Sequence, residues 1–97
     1  MYKIELLPRA VRELKKLDSK VQKDIISTIE ILKFEAYPDG CKKLSGVSAK
    51  ILKILDCKSL YRVRCNTYRI IYAVHDEKVT ICIVKIGARK EIYRFLK

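Results

Sequence analysis

Hydrophobic and polar residues alternate at the start of the chain and change to helical spacing after Leu7. Residues 2–7 (YKIELL) place every second side chain on one face, a pattern that predicts a first β-strand. Proline is favoured in the first turn of a helix, where its missing N–H costs nothing. Pro8 and the apolar residues three apart that follow it therefore predict a short helix over residues 8–17: Val11, Leu14 and Leu17.

A second helix is predicted directly after the first. Ser19 and Gln22 have the spacing of a capping box, in which each side chain bonds to the other residue's backbone N–H. Apolar side chains then recur on one face, at positions 21, 25, 29 and 32. The helix should end near Glu35, before Pro38 and Gly40, and should form a helical hairpin with the first.

The segment that follows has no single interpretation from its pattern. Residues 49–55 (AKILKIL) fit either one or two helical turns or an additional strand, because a short apolar run is compatible with both. Residues 56–59 indicate a turn.

Beyond residue 59 the hydrophobic period becomes two, which is typical of strands. Residues 60–65 (LYRVRC) and 68–74 (YRIIYAV) predict a hairpin that turns at Asn66-Thr67, since Asn tolerates the left-handed conformation. After a turn at residues 76–77, residues 79–86 (VTICIVKI) are almost continuously apolar and predict a buried strand that Gly87 ends. Residues 90–97 predict a last helical turn.

The order of these elements predicts the fold class. One strand, two helices and then at least three strands give an α+β domain in the order β-α-α-β-β-β. We expect a small antiparallel sheet with the N-terminal helical hairpin packed on one face, formed by residues 1–97 as a single domain.

The charge of the chain is strongly positive and unevenly distributed. Its formal net charge is +11. Residues 1–40 contain eight Lys and Arg against seven Asp and Glu, whereas residues 42–69 contain eight against one, Asp56. Solubility does not require such segregation, so the pattern favours a polyanionic partner: a nucleic acid, an acidic protein, or both.

Cysteine and histidine residues do not form a metal or redox motif. The four cysteines, at positions 41, 57, 65 and 82, include no CxxC pair, and His75 is the single histidine. A structural zinc site normally needs closely spaced ligand pairs. The sequence also has no apolar run of membrane-spanning length and no signal-peptide pattern at its start. We therefore expect a cytoplasmic protein with reduced thiols, and no metal, cofactor or membrane contact.

The predicted hairpin brings three arginines together. With Asn66-Thr67 at its tip, Arg64 lies opposite Arg69, and Arg62 shares their face because side chains alternate along a strand. Like charges placed opposite each other destabilise a sheet by roughly 0.2–1 kcal/mol. Individually these arginines fit a solvated strand face. Together they indicate a phosphate site, because the planar guanidinium binds phosphate oxygens in pairs. A turn of three residues would shift the pairing by one residue, so that Arg69 would no longer face Arg64, and this inference would weaken.

The C-terminal segment adds further candidates. If residues 89–93 are helical, Arg89 and Tyr93 share a face, and Arg94 follows Tyr93. Spacing alone leaves open a core tyrosine with two solvated basic neighbours. No catalytic Ser-His-Asp or Cys-His set and no phosphate-binding glycine loop accompany them. A ribonuclease can work without metal, since the ribose 2′-hydroxyl attacks the adjacent phosphorus once it is oriented and the phosphate charge is stabilised.

Three segments, in this order and spacing, resemble the RelE family of bacterial and archaeal toxins. They are Tyr61-Arg62-Val63-Arg64, Tyr68-Arg69-Ile70-Ile71-Tyr72 and Lys85-Ile86-Gly87-Ala88-Arg89-Lys90-Glu91-Ile92-Tyr93-Arg94. The resemblance extends to the opening strand, the helical hairpin and Lys43-Leu44. It implies a microbial-ribonuclease-like fold and a toxin of a type II toxin–antitoxin system. It also implies an acidic RelB-like antitoxin that wraps the basic face, and binding to operator DNA through the antitoxin complex.

By the same resemblance, the protein would be an mRNA interferase that cleaves mRNA in the ribosomal A site. Five residues match catalytic positions of the family: Arg62, Arg64, Arg69, Arg89 and Tyr93. Arg69 and Arg89 would hold the scissile phosphate, and Tyr93 would orient the nucleotide or assist proton transfer. Lys43 and Arg94 would contact the RNA.

The chain departs from the family pattern mainly in its acid–base groups. Arg62 and Arg64 stand where some members have lysine, and Ala88 stands where many have histidine, so proton carriers are few. Asn66-Thr67 replaces a glycine-containing turn, and residues 47–59 form a longer connection than is usual in the family. Two alternative functions follow. One is a ParE-like toxin that inhibits DNA gyrase without nuclease activity, and the other is an inactive toxin that acts only as a transcriptional corepressor.

Overall fold

The computed structural model describes residues 1–96, in which five strands form one sheet flanked by four α-helices. In chain order the elements are β1 (Lys3–Leu6), α1 (Pro8–Lys15), α2 (Ser19–Phe34), β2 (Lys42–Lys43), α3 (Ala49–Ile54), β3 (Tyr61–Cys65), β4 (Tyr68–His75), β5 (Thr80–Ala88) and α4 (Arg89–Leu96). A short 3₁₀ helix, Asp76–Lys78, joins β4 to β5. The order of strands across the sheet is β1-β5-β4-β3-β2.

The predicted α+β class, the N-terminal helical hairpin and the three later strands are confirmed, but a two-residue strand, β2, was not predicted and the sheet is mixed. β2, β3, β4 and β5 are antiparallel neighbours, whereas β1 pairs in parallel with β5. Alternation of side chains identifies a strand without identifying its neighbour. Here α1 and α2 carry the chain from β1 to the far edge of the sheet. The antiparallel strands then lead back until β5 lies beside β1.

One face of the sheet packs against α1 and α2, as predicted. The apolar stripe of α2 meets inward-facing residues of β3, β4 and β5, and the fully buried members of this cluster include Ile25, Leu32, Ile70, Tyr72, Ile81 and Ile83. Full burial of an aliphatic side chain stabilises a fold by roughly 1.5–3 kcal/mol. This cluster is therefore the main support of the strands that carry the arginines.

The residue that caps α2 differs from the prediction by one position. Asp18 is the cap, and its carboxylate accepts a hydrogen bond from the backbone N–H of Val21 at 3.0 Å. Ser19 is the first helical residue, and Gln22 donates instead to the carbonyl of Leu17 at 2.7 Å. Asp and Ser are about equally favoured as N-cap residues. Because Asp18 and Ser19 are adjacent, the sequence alone did not show which of them caps α2.

The opposite face of the sheet is covered by α3 and α4. Its buried cluster is Leu60, Ile71, Ala73, Cys82, Val84 and Ile92. The segment whose pattern fitted two interpretations forms α3, capped by Ser48, whose hydroxyl accepts the N–H of Lys50 at 3.2 Å. Ile51 and Leu52 of α3 pack on this cluster, so α3 covers part of a face that the helical hairpin leaves open.

The β3–β4 turn has the predicted two residues. Asn66 adopts the left-handed conformation, with φ 56°, and its side chain donates a hydrogen bond to Asp24 of α2 at 2.9 Å. The register is the predicted one, with Arg64 opposite Arg69 and Arg62 opposite Ile71.

The last strand begins and ends later than its pattern indicated. Val79 closes the preceding turn with φ 48°, so β5 starts at Thr80. Gly87 does not end the strand, because it pairs with Arg69 and the strand continues to Ala88. The glycine serves a close contact instead: a Cβ atom at this position would lie 2.7 Å from the carboxylate of Glu91.

Candidate functional site

The face of the sheet opposite α1 and α2, here called the second face, carries two groups of residues. One is the apolar cluster under α3 and α4, and beside it lies a group of arginines. β3 and β4 supply Arg62, Arg64 and Arg69, whose register places them together. α4 follows β5 with no intervening loop and brings Arg89 and Tyr93 to the same position. These five side chains line a cavity of about 300 Å³. The remaining lining residues are Lys42, Leu44, Ile92 and Leu96.

The cavity is cationic and its charges are uncompensated. Among residues 1–96 no carboxylate lines it, and the ion pairs in that range do not include its arginines. The pKa of Arg62 is lowered, first by burial and then by the charges of Arg64 and Arg69. The charges that lower the pKa of Arg62 are like charges held close to it, and a bound phosphate would relieve their repulsion.

Arg89 and Tyr93 form a pair on one face of α4. The Arg89 Nη2 donates to the Tyr93 Oη at 3.5 Å, and the guanidinium carbon lies 5.6 Å from the centre of the ring. This hydrogen bond and the charge of Arg89 lower the pKa of the Tyr93 phenol, and the charges of Arg69 and Arg62 act in the same direction. A lower pKa increases the fraction of phenolate, which is the form of the side chain that can accept a proton.

Two predicted RNA-contacting residues lie outside the cavity. Lys43 pairs with Tyr61 and therefore points to the other face of the sheet, whereas Lys42 pairs with Arg62 and lines the cavity. Arg94 is exposed on α4 and does not line it. The sequence did not single out Lys42, because the two-residue strand β2 shows which lysine shares a face with Arg62 only through its pairing with β3.

The other titratable groups offer little chemistry. Within the described part of the chain, no three His, Cys, Asp or Glu residues come close enough to hold a metal ion. All four cysteines are free, and burial raises the pKa of the Cys57 and Cys82 thiols, which makes them less reactive. The His75 ring lies 3.2 Å from the carbonyl oxygen of Asp56, away from the arginines. None of the helices described is long and apolar enough to cross a membrane.

Similarity to known proteins extends over most of the chain. The family model described as the ParE toxin of the type II toxin–antitoxin system parDE matches residues 4–93. The mRNA interferase toxin RelE of Escherichia coli is 31% identical over 98 residues, which cover 95% of this chain and 90% of the relative.

Solved structures agree with these sequence matches. The archaeal RelE of the RelE–RelB complex from Pyrococcus horikoshii OT3 superposes with a TM-score of 0.73 at 26% identity, covering 91% of this chain and 94% of that one. The isolated E. coli RelE toxin has the same fold, with a TM-score of 0.70 at 24% identity over 97% of this chain and 93% of its own. The family match, the relatives and the shared fold together show that this chain belongs to the RelE/ParE toxin superfamily of type II toxin–antitoxin systems.

Proposed function

We propose that this protein is an mRNA interferase, a metal-independent endoribonuclease that cuts mRNA in the ribosomal A site, with residues 1–97 acting as one toxin domain. The observation that carries the proposal is the cavity of four arginines that form no ion pair within residues 1–96, together with a tyrosine whose pKa is lowered. It is supported by the 31% identity to a relative named as an mRNA interferase toxin. Since its substrate is translated mRNA, the proposal places the protein in the cytoplasm.

The chemistry follows from the charges available. The ribose 2′-oxygen attacks the adjacent phosphorus, a 2′,3′-cyclic phosphate forms, and the bond to the 5′-oxygen breaks. Arg62, Arg64, Arg69 and Arg89 bind the phosphate oxygens and stabilise the negative charge that develops on them. Tyr93, as phenolate, takes the proton of the 2′-hydroxyl, and the leaving oxygen takes a proton from solvent.

Dependence on the ribosome has a physical reason in this site. The cavity is open and Tyr93 is exposed, so the protein by itself holds a flexible RNA strand poorly. Orientation of the reacting groups can supply about 7–11 kcal/mol of a reaction barrier, and mRNA threaded through the ribosome is already ordered. Lys42 adds a fifth positive charge to the cavity wall, and Lys43 and Arg94 lie outside the cavity. We assign all three to flanking RNA phosphates.

The same charges define the protein's partner. Toxins of this fold are seen in complexes with RelB from Pyrococcus horikoshii and E. coli. We propose that an acidic RelB-like antitoxin covers the basic face of this chain, and that the complex binds operator DNA through the antitoxin.

Inhibition of DNA gyrase is the second candidate function, and the match to the ParE family model favours it. Primer extension in a translating extract separates the two. The wild type should produce new mRNA ends at A-site codons that are absent from naked mRNA. An Arg89→Ala, Tyr93→Ala double variant should produce none, and Arg12→Ala, which removes an exposed arginine of α1, should cut like the wild type. If translation is undisturbed and no cuts form, the nuclease proposal fails and a gyrase cleavage assay is the next measurement.

A further inference from the structure

One charged side chain of the described residues is buried, and it lies next to the cavity without lining it. Lys85 of β5 is 8% exposed. Its ammonium forms an ion pair with Glu13 of α1 and lies 3.8 Å from the carboxylate of Glu91 in α4. A buried charge is costly unless it is paired, and the two carboxylates that pair with this lysine connect both α1 and α4 to β5.

An irregularity in the sheet precedes Lys85. Ile71 of β4 pairs with Lys85 while Tyr72 pairs with Ile83, which leaves Val84 as an extra residue on β5. Such a bulge changes the direction in which the next side chains leave the strand. Past the bulge, Glu13 also accepts the backbone N–H of Ile86 at 3.1 Å. The carboxylate thus fixes this part of β5 beyond the end of β1.

Gly87 makes room for the contact between Glu91 and Lys85. A Cβ atom there would lie 2.7 Å from the Oε2 of Glu91 and 3.3 Å from its Cβ. The carboxylate could swing away, but the contact with the Cβ of Glu91 would push the first turn of α4 from β5 by a few tenths of an ångström. The absence of a side chain at position 87 therefore allows the first turn of α4 to lie against β5, where Glu91 reaches Lys85.

We propose that Lys85 and Glu91 are positioning residues that hold α4 in the rotation at which Arg89 and Tyr93 face the arginines of the sheet. The apolar residues of α4, such as Ile92, hold the helix on the sheet. Apolar attraction is non-directional and leaves rotation about the helix axis weakly fixed. An ion pair between defined atoms fixes it. The consequence for catalysis rests on the proposed cleavage function. The role of the Lys85–Glu91 ion pair in holding α4 does not.

Hydrogen exchange tests whether Lys85 holds α4 in place, and this measurement does not depend on RNA cleavage. Lys85→Met keeps a long unbranched side chain but removes the charge, and Lys78→Met makes the same change at an exposed lysine. We expect the amides of residues 91–95 to exchange at least about tenfold faster in Lys85→Met while those of α2 are unchanged. Unchanged exchange in α4, or equal acceleration throughout the molecule, overturns the proposal. If Lys85→Met does not fold, Glu91→Gln decides, because it leaves the Lys85–Glu13 pair intact and should give the same local effect.

Single-turnover cleavage on programmed ribosomes then tests the consequence. Lys85→Met should lower the rate constant about tenfold with little change in the half-saturating concentration, because misplaced catalytic groups reduce rate more than binding. In an Arg89→Lys background the same substitution should have a much smaller effect, since the group it positions is already altered. Equal loss in both backgrounds means a purely structural role and overturns the proposal. If the wild type does not cleave, the proposed function fails, and the role of Lys85 in holding α4 is then decided by hydrogen exchange alone.

Discussion

Removal of the Arg64 charge should stabilise the fold while it weakens the site. Arg64 lies directly opposite Arg69 across the β3–β4 ladder, and Arg62 is on the same face. Directly opposite side chains have Cβ atoms about 4.5–5.5 Å apart, so two guanidiniums there repel each other. The pKa of Arg62 is lowered first by burial, and the nearby charges of Arg64 and Arg69 lower it further.

The size of the effect follows from the exposure of Arg64 and its place in the sheet. Arg64→Gln loses little packing, because the side chain is exposed. Relief of a like-charge cross-strand pair is worth about 0.2–1 kcal/mol. In a domain of this size that corresponds to a melting temperature about 1–8 °C higher at low ionic strength. In about 1 M NaCl the screening length falls to about 3 Å, and the difference should disappear.

Thermal melts followed by circular dichroism at low and high salt measure this difference. Lys58→Gln removes the same charge from an exposed loop residue and controls for a general effect of lower net charge. The reasoning is refuted if Arg64→Gln melts no higher than Lys58→Gln at low salt, or if its advantage persists at high salt. The same variant should cleave mRNA more slowly, so stability and activity would change in opposite directions.

Three further predictions concern the core, a helix cap and the pH dependence. The buried Tyr72 hydroxyl donates to the Ala36 carbonyl at 2.8 Å. Tyr72→Phe should therefore cost about 1–3 kcal/mol in urea unfolding, and an unchanged midpoint would show that the bond contributes nothing. Asp18→Ala removes the α2 cap and should cost about 1 kcal/mol, whereas Asp18→Asn should cost far less. Because Arg89 lowers the pKa of Tyr93, Arg89→Gln should raise that pKa. If phenolate is the base, cleavage rises with pH through this pKa, so its alkaline rise should move to higher pH, and an unmoved profile would exclude Tyr93 as the base.

The arginine group of the sheet was predictable because it depends on local rules. A two-residue turn at Asn66-Thr67 fixes the pairing of Arg64 with Arg69, and alternation then places Arg62 beside them. The helical hairpin was predictable for the same reason, since the apolar spacing of α2 identifies its buried face.

Features that depend on distant contacts were not predictable from spacing. The parallel pairing of β1 with β5 depends on the path of the whole chain, and α3 is helical because an open sheet face lies beneath it. Gly87 looked like the end of a strand, but its role is set by Glu91 in the next helix. Lys43 was selected over Lys42 because the short strand β2 shows its register only when paired.

The most direct test of the account replaces the nucleophile. Ribosomes would be programmed with two messages that differ by one atom, the 2′-oxygen of the ribose on the 5′ side of the mapped cut. If the arginine cavity and Tyr93 promote attack by that oxygen, the all-ribose message is cut to a 2′,3′-cyclic phosphate and the 2′-deoxy message is not cut. Equal cleavage of both messages, or cleavage of neither, would contradict the account.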